Sequence, residues 1–128
     1  MIDIAHFSPA DPALVQFDLA ACRAQFSTFP HAFADTADAD TFIVCATAAD
    51  AQWARETRAK EPGRMPSCAL VMLHPARITL GHRGSEADHR LMRQFAEWLV
   101  QSTVCNVVDD DGNDLTAACQ TSLDILYA

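Results

Sequence analysis

Residues 41–46, with the sequence TFIVCA, constrain the fold more than any other segment of this chain. The run holds no charged residue, and β-branched and aromatic side chains dominate it, which is typical of a β-strand. Because no polar residue alternates with the apolar ones, both faces of the strand are expected to be buried. The simplest architecture that does this is one sheet with helices packed on one or both faces.

Hydrophobic periodicity and capping residues place the remaining elements around this strand. Further strands are predicted at 2–7, 68–73, 77–80 and 104–108, helices at 12–26, 48–60 and 85–100, and either a helix or a strand at 115–127. The order β-α-β-α-β-β-α-β, with that last element, predicts an α+β fold, with α/β as the alternative. We expect a single mixed sheet of about five strands, three or four helices, and one globular domain over residues 1–128.

The first helix and the segment after it carry the most specific local predictions. Asp11 is the predicted N-cap of the helix and Pro12 its first residue, where a missing N–H costs nothing. Residues 27–40 form a long connection, which in a compact domain is expected to be functional or partly structured.

The charge balance excludes two classes of partner. Seventeen acidic residues against nine basic ones give a net charge of −8. This charge repels phosphate backbones and anionic membrane surfaces, so we expect neither nucleic acid nor membrane as a partner. A basic protein surface would be attracted, although solubility alone also explains an acidic chain.

Five cysteines are scattered along the chain without a C-x-x-C pair. No secretory signal is visible at the start, so we expect a cytoplasmic protein with reduced thiols that act as small hydrophobic residues.

The stretch 81–85, with the sequence GHRGS, joins a predicted strand to a predicted helix. Its backbone amides and the helix N-terminus could bind an anion, with Arg83 as a charged clamp. The candidate binding residues are His82, Arg83, Gly84 and Ser85. The alternative is an ordinary strand-to-helix turn, in which glycines permit the backbone angles and Ser85 caps the helix.

Arg83-Gly84-Ser85, the strand at 104–108 and Asn113 together resemble the phosphate-binding strand–loop–helix of the acyl-CoA-dependent N-acetyltransferases. In that family an R-G-x-G-like loop cradles the pyrophosphate. The resemblance covers about the last 50 residues and implies a coenzyme-binding acyltransferase. Glu86 departs from it, since it stands where the family has its second glycine.

The acidic run at 109–114 does not match an EF-hand loop. Gly112 would place Val107 and Ala118 at the first and last ligand positions, where carboxylates are required. Asp109, Asp110 and Asp111 are instead candidate contacts for a basic partner, with a solvated turn as the alternative. The five histidines show no metal-binding spacing, so no metal site is predicted.

Trp53 differs from the other aromatic residues because its helix has few other large apolar side chains. It either closes an edge of the core or lies exposed at an interface, where tryptophan is enriched.

The sequence therefore favours a non-enzymatic protein-interaction or regulatory domain, of an immunity-protein-like or chaperone-like kind. A small ligand-binding or acyl-transfer enzyme that uses residues 81–85 is the alternative. A homo-oligomer that pairs across a dimer through the apolar segment from Leu70 to Leu73 and the possible terminal strand is the third possibility. No catalytic residue and no cofactor are predicted.

Overall fold

The computed structural model describes residues 4–36, 38–61, 68–81 and 86–127. Six strands form one sheet in the order β2-β3-β4-β5-β1-β6. Every pairing between these strands is antiparallel, where a mixed sheet was expected. In chain order the elements are β1 (Ile4–Pro9), α1 (Leu19–Phe26), β2 (Ala32–Ala34), β3 (Thr41–Val44), α2 (Ala48–Lys60), β4 (Ala69–Met72), β5 (Ile78–Gly81), α3 (Glu86–Ser102), β6 (Cys105–Asp109), α4 (Thr116–Thr121) and α5 (Asp124–Tyr127). The α+β class is confirmed.

Strand β3 is covered on both faces, as its apolar run predicted. Val44 points into the main hydrophobic core, together with apolar residues of α1, α3 and α5. The adjacent Ile43 points to the opposite face, where it packs with Ala51 and Ala54 of α2. Helix α2 therefore forms a separate layer over β3 and β4.

Aromatic rings fill the centre of the main core. Phe26 of α1 stacks on Phe42 of β3 and on Phe95 of α3, with ring centroids 4.3 and 5.0 Å apart. Phe95 also meets Trp98 at 5.6 Å. These rings join two helices to the sheet, which explains the apolar stripe that predicted α3.

Helix α1 begins seven residues later than its sequence predicted. Its N-cap is Asp18, which accepts a hydrogen bond from the Ala21 N–H, while Asp11 and Pro12 lie in a turn. Leu14 in that turn is 82% exposed. Phe17 is buried and its N–H donates to the Pro75 carbonyl oxygen, so a contact with the β4–β5 turn holds the chain extended just before the helix.

The long connection at 27–40 is partly structured, because it contains β2 at one edge of the sheet. The last segment is helical, which decides between its two alternatives. Strand β4 is hydrogen-bonded to β3 on one side and β5 on the other. The predicted pairing of this strand across a dimer is therefore wrong, because both of its edges are occupied.

The other edge strand, β6, is covered by the chain that follows it. The Leu115 N–H donates to the Val107 carbonyl oxygen, and the Val107 N–H donates to the Thr116 hydroxyl. Val108 also forms a bridge with Asp114. The outer hydrogen-bonding groups of Val107 and the Asp109 N–H, which donates to the Asn113 carbonyl oxygen, are thus used within the chain.

Candidate functional site

The predicted anion-binding residues His82, Arg83, Gly84 and Ser85 lie outside the described residues. Their flanks are described: β5 ends at Gly81 and α3 begins at Glu86. The first turn of α3 carries two carboxylates, the exposed Glu86 and the buried Asp88. Both add negative charge at the end of the helix that would face an anion.

The acidic residues at 109–111 belong to a turn that stabilises itself. Asp109 accepts hydrogen bonds from the backbone N–H groups of Asp111 and Asn113 and from the Asn113 side-chain amide. The bonds from Asn113 are the main reason that the pKa of Asp109 lies below its ordinary value. Gly112 has φ +85°, a left-handed conformation that favours glycine. Asp109 therefore shapes the turn, while Asp110 and Asp111 lie exposed on it.

His6 links this turn to the sheet, and no sequence signal predicted the contact. Its Nε2 lies 3.2 Å from Asp110 Oδ1, and its Nδ1 is hydrogen-bonded to Thr79 Oγ1 at 2.8 Å. A hydroxyl, an imidazole and a carboxylate in series is the order found in nucleophilic hydrolases. Thr79 is only 4% exposed, however, so its hydroxyl cannot reach a substrate. This cluster joins β5, β1 and the acidic turn.

Trp53 lies on the outer face of α2 and is 42% exposed. It lines a groove of about 270 Å³ together with Glu56, Thr57, Lys60 and Glu61. The Gln52 side chain donates to Glu56 at 3.2 Å, which holds one carboxylate in place beside the groove. The groove thus offers an aromatic face, two carboxylates and one ammonium group.

Two contacts join α2, the helix that carries Trp53, to the edge of the sheet, and a third caps its first turn. Arg58 donates to both carboxylate oxygens of the buried Asp35, at 3.1 and 2.6 Å. This bidentate pairing raises the pKa of Arg58. The guanidinium of Arg55 lies 4.5 Å from the centre of the Phe33 ring, a cation–π contact. Thr47 caps the first turn by accepting from the Asp50 N–H.

Cys45 and Cys68 form a sulfur–sulfur contact that the sequence did not predict. The Cys45 thiol donates to the Cys68 sulfur at 3.1 Å, and both side chains are buried. The two residues are 23 positions apart, and the ladder between β3 and β4 brings them together. A pattern search for C-x-x-C spacing cannot find such a pair.

The groove at Trp53 and the acidic turn lie at different ends of the sheet. Helix α2 packs against β3 and β4, whereas the turn follows β6 at the far edge. Within the described residues no cluster of three or more His, Cys, Asp or Glu side chains is arranged to hold a metal ion. None of the described helices is long and apolar enough to cross a membrane.

Comparison with known proteins does not assign the chain to a family. No family model, curated protein or solved structure matches the chain.

Proposed function

We propose that this chain is a non-enzymatic protein-binding domain that receives a cationic side chain of its partner in the groove beside Trp53. The observation that carries the proposal is an exposed tryptophan on a fixed helix, next to two carboxylates. Tryptophan in such positions is strongly enriched among the residues that dominate protein–protein binding energies.

The groove is suited to one side chain of a partner. Its volume of about 270 Å³ accommodates one long side chain and lies just below the range of roughly 300–1,000 Å³ typical of ligand pockets. An arginine or lysine could lie on the face of Trp53, which favours cations, and pair with Glu56 or Glu61. Lys60 also lines the groove and would repel a badly placed cation, which adds selectivity for position.

The fixed position of α2 favours binding. The buried pair between Arg58 and Asp35 and the Thr47 cap hold the helix before a partner arrives. A preformed surface loses less conformational freedom on association than a mobile one, so more of the contact energy appears as affinity.

The charge of the whole chain supports the same type of partner. A net charge of −8 attracts a basic surface over several ångströms and accelerates association at low salt. Asp110 and Asp111, exposed on the turn after β6, contribute to this field.

The anion-binding alternative stays a prediction, because residues 82–85 lie outside the described residues. The described flank of that loop does not favour it. Glu86 and Asp88 place carboxylates in the first turn of α3, where an anion would compete with them for the helix N-terminus.

A capture experiment with two matched variants tests the protein-binding proposal. Wild type, Trp53→Ala and Leu14→Ala are immobilised at equal density and exposed to an extract of the source cells, and the affinity of each captured protein is then measured. Both substitutions remove an exposed apolar side chain, but Leu14 lies in the turn before α1 and not on α2. Trp53→Ala should weaken the partner's binding at least about tenfold, the size expected of a hot spot, and Leu14→Ala should leave it unchanged.

A third variant tests the charge of the partner's side chain. Glu56→Gln keeps the shape of the groove and removes one carboxylate, so it should weaken binding and reduce its dependence on salt. A partner that binds Trp53→Ala as tightly as wild type would contradict the proposal. Capture of no protein at all would also count against it.

A further inference from the structure

We propose that Cys45 and Cys68 are a redox-active dithiol that a hydroperoxide oxidises to an intramolecular disulfide. The site is the sulfur–sulfur contact at the ends of β3 and β4, and it is independent of the groove at Trp53.

The strand register places the two residues opposite each other, a position from which a disulfide can form. Val44 is paired with Ala69 in the antiparallel ladder, so Cys45 and Cys68 are the next positions along the two strands. The Cys45 N–H donates to the His31 carbonyl oxygen, which keeps this end of β3 extended. Directly opposed residues of antiparallel strands have Cα atoms about 4.5–5.5 Å apart, within the range of about 4.4–6.8 Å that disulfides span.

The sulfur atoms are already close. Their separation of 3.1 Å is about 1 Å longer than a disulfide bond. All five cysteines lie in the described part of the chain, and no other two of them are recorded in contact. Small rotations of the two side chains would therefore complete the bond without a shift of the strands.

The hydrogen bond between the thiols gives them different roles. Because Cys45 donates to Cys68, the pKa of Cys68 is lowered and the pKa of Cys45 is raised. Burial and the carboxylates of Asp88 and Asp50 oppose ionisation of both thiols. The Cys68 sulfur, which accepts the hydrogen bond, is therefore the better nucleophile of the pair, and Cys45 is the thiol that would resolve its oxidised form.

The burial of the pair selects the class of oxidant. Cys45 is 2% exposed and Cys68 is 3% exposed, so the active site of a disulfide-exchange protein cannot reach either sulfur. Hydrogen peroxide is small enough to enter during local opening of the structure.

The reaction is balanced without any other reactant. The Cys68 thiolate attacks one peroxide oxygen, the O–O bond breaks, and hydroxide leaves as Cys68 becomes a sulfenic acid. The Cys45 sulfur then attacks the Cys68 sulfur, the S–O bond breaks, and the second hydroxide leaves. The two thiol protons convert the hydroxides into water. Two thiols are oxidised by two electrons and one peroxide is reduced to two waters.

The disulfide would enclose α2. The pair spans 23 positions, and the helix lies entirely between its members. Closing a loop of this length restricts the unfolded chain, so oxidation should raise Tm by several degrees. The oxidation state of the pair would then set how firmly α2 is held to the sheet.

Thiol counting and peptide mapping of the folded wild-type protein test the proposal directly. The reduced protein is treated with hydrogen peroxide, alkylated after denaturation, weighed intact and digested with trypsin. Lys60 separates the two cysteines into different peptides, so a disulfide between them links two otherwise separate fragments. We expect the number of alkylated thiols to fall from five to three, the alkylated protein to be lighter than the alkylated reduced control by two alkyl groups, and the Cys45 and Cys68 peptides to be joined.

Two variants control for the other thiols. Cys105→Ala removes another buried cysteine and should still lose two thiols and form the same linked peptides. Cys45→Ala should form no disulfide and should leave Cys68 as a sulfenic acid, which dimedone traps when it is added together with the denaturant; circular dichroism checks that the variant is folded before treatment. Five free thiols in treated wild type, a disulfide between other cysteines, or conversion of Cys68 to sulfinic acid without a linked peptide would each overturn the proposal.

Discussion

Asp35 and Arg58 form the polar contact on which α2 most depends. Their side chains are 4% and 7% exposed, and two hydrogen bonds join them. Asp35 follows β2 and Arg58 lies in the last part of α2, so the pair fastens the helix to the edge of the sheet. The sequence shows both residues but not their pairing, because 23 positions separate them.

Removal of one partner of this pair should destabilise the fold strongly. Asp35→Ala removes the carboxylate that accepts two hydrogen bonds from the buried Arg58 guanidinium, and we expect a loss of about 3 kcal/mol in the free energy of unfolding. Urea denaturation followed by circular dichroism measures it. The double variant Asp35→Ala/Arg58→Met should recover part of the loss, because the buried guanidinium is then removed together with the Asp35 carboxylate. A single variant as stable as wild type would show that the pair does not anchor α2.

Trp53 shows how far a candidate binding site can be predicted from single residues of the sequence. Its isolation among small and polar helix residues predicted a side chain at a core edge or an interface, and the structure finds it exposed. The carboxylates beside it follow from helical spacing, since Glu56 lies one turn beyond Gln52 and Trp53. The contact between Cys45 and Cys68 could not be predicted in this way. It depends on strand register, which a sequence with no charge alternation in β3 leaves open.

Helix α1 illustrates a local signal that a tertiary contact overrides. Asp11 and Pro12 are a good helix start, yet they lie in a turn, and Asp18 caps the helix instead. The buried Phe17 and its hydrogen bond to Pro75 keep the intervening chain extended. Residue 75 is far along the chain, so its influence cannot be read from the periodicity around Val15.

Two cap variants distinguish the predicted start of α1 from the observed one. Asp18→Ala removes the acceptor of the Ala21 N–H and should cost about 1 kcal/mol of unfolding free energy. Asp11→Ala should change it by less than about 0.3 kcal/mol, since the Asp11 side chain caps no helix. Both are measured by urea denaturation. Equal losses in the two variants would contradict the observed helix start.

The sequence predicted the other elements where their apolar side chains follow a clear strand or helix pattern. Strand β3, the antiparallel pair β4 and β5, helix α2 and helix α3 all lie close to their expected positions. Strand β2 was not predicted because it has only three residues and lies at an edge, where few side chains are buried. The antiparallel pairing throughout depends on strand order, which local patterns do not specify.

For the whole molecule, hydrogen-bonded carboxylates contribute to the loss of stability in acid. The pKa of Asp109 is lowered mainly by its bonds from Asn113, and that of Asp114 mainly by its bonds from Thr116. A carboxylate with a depressed pKa in the folded state contributes stability above its ordinary pKa of 3.8, which is lost as pH falls through the folded value. We therefore expect Tm to fall below about pH 4. Thermal scans should show a shallower acid slope in Asp109→Asn; an unchanged slope would contradict this.

Buried thiols contribute to the loss of stability of the fold at alkaline pH. Burial is the main cause that raises the pKa of Cys22 and of Cys105 from 9.0 to about 11. The stability that these protonated thiols contribute is complete below pH 9 and is lost as pH rises through about 11. Thermal scans at alkaline pH under reducing conditions should therefore show Tm falling above about pH 9, and less steeply in Cys105→Ala than in wild type. A Tm that stays constant up to pH 11 would contradict the assignment.

The closed edge at β6 has a consequence for concentrated solutions of the protein. Residues 113–116 occupy the outer hydrogen-bonding groups of Val107 and Asp109 in β6, and the opposite edge strand, β2, is only three residues long. Fibril growth requires an edge strand with free backbone hydrogen-bonding groups that can pair with the next chain. Sheet edges of this kind offer few such groups. Association of native molecules through their side chains is therefore favoured over pairing of their strands, and we expect amyloid-like polymerisation to require opening of the fold.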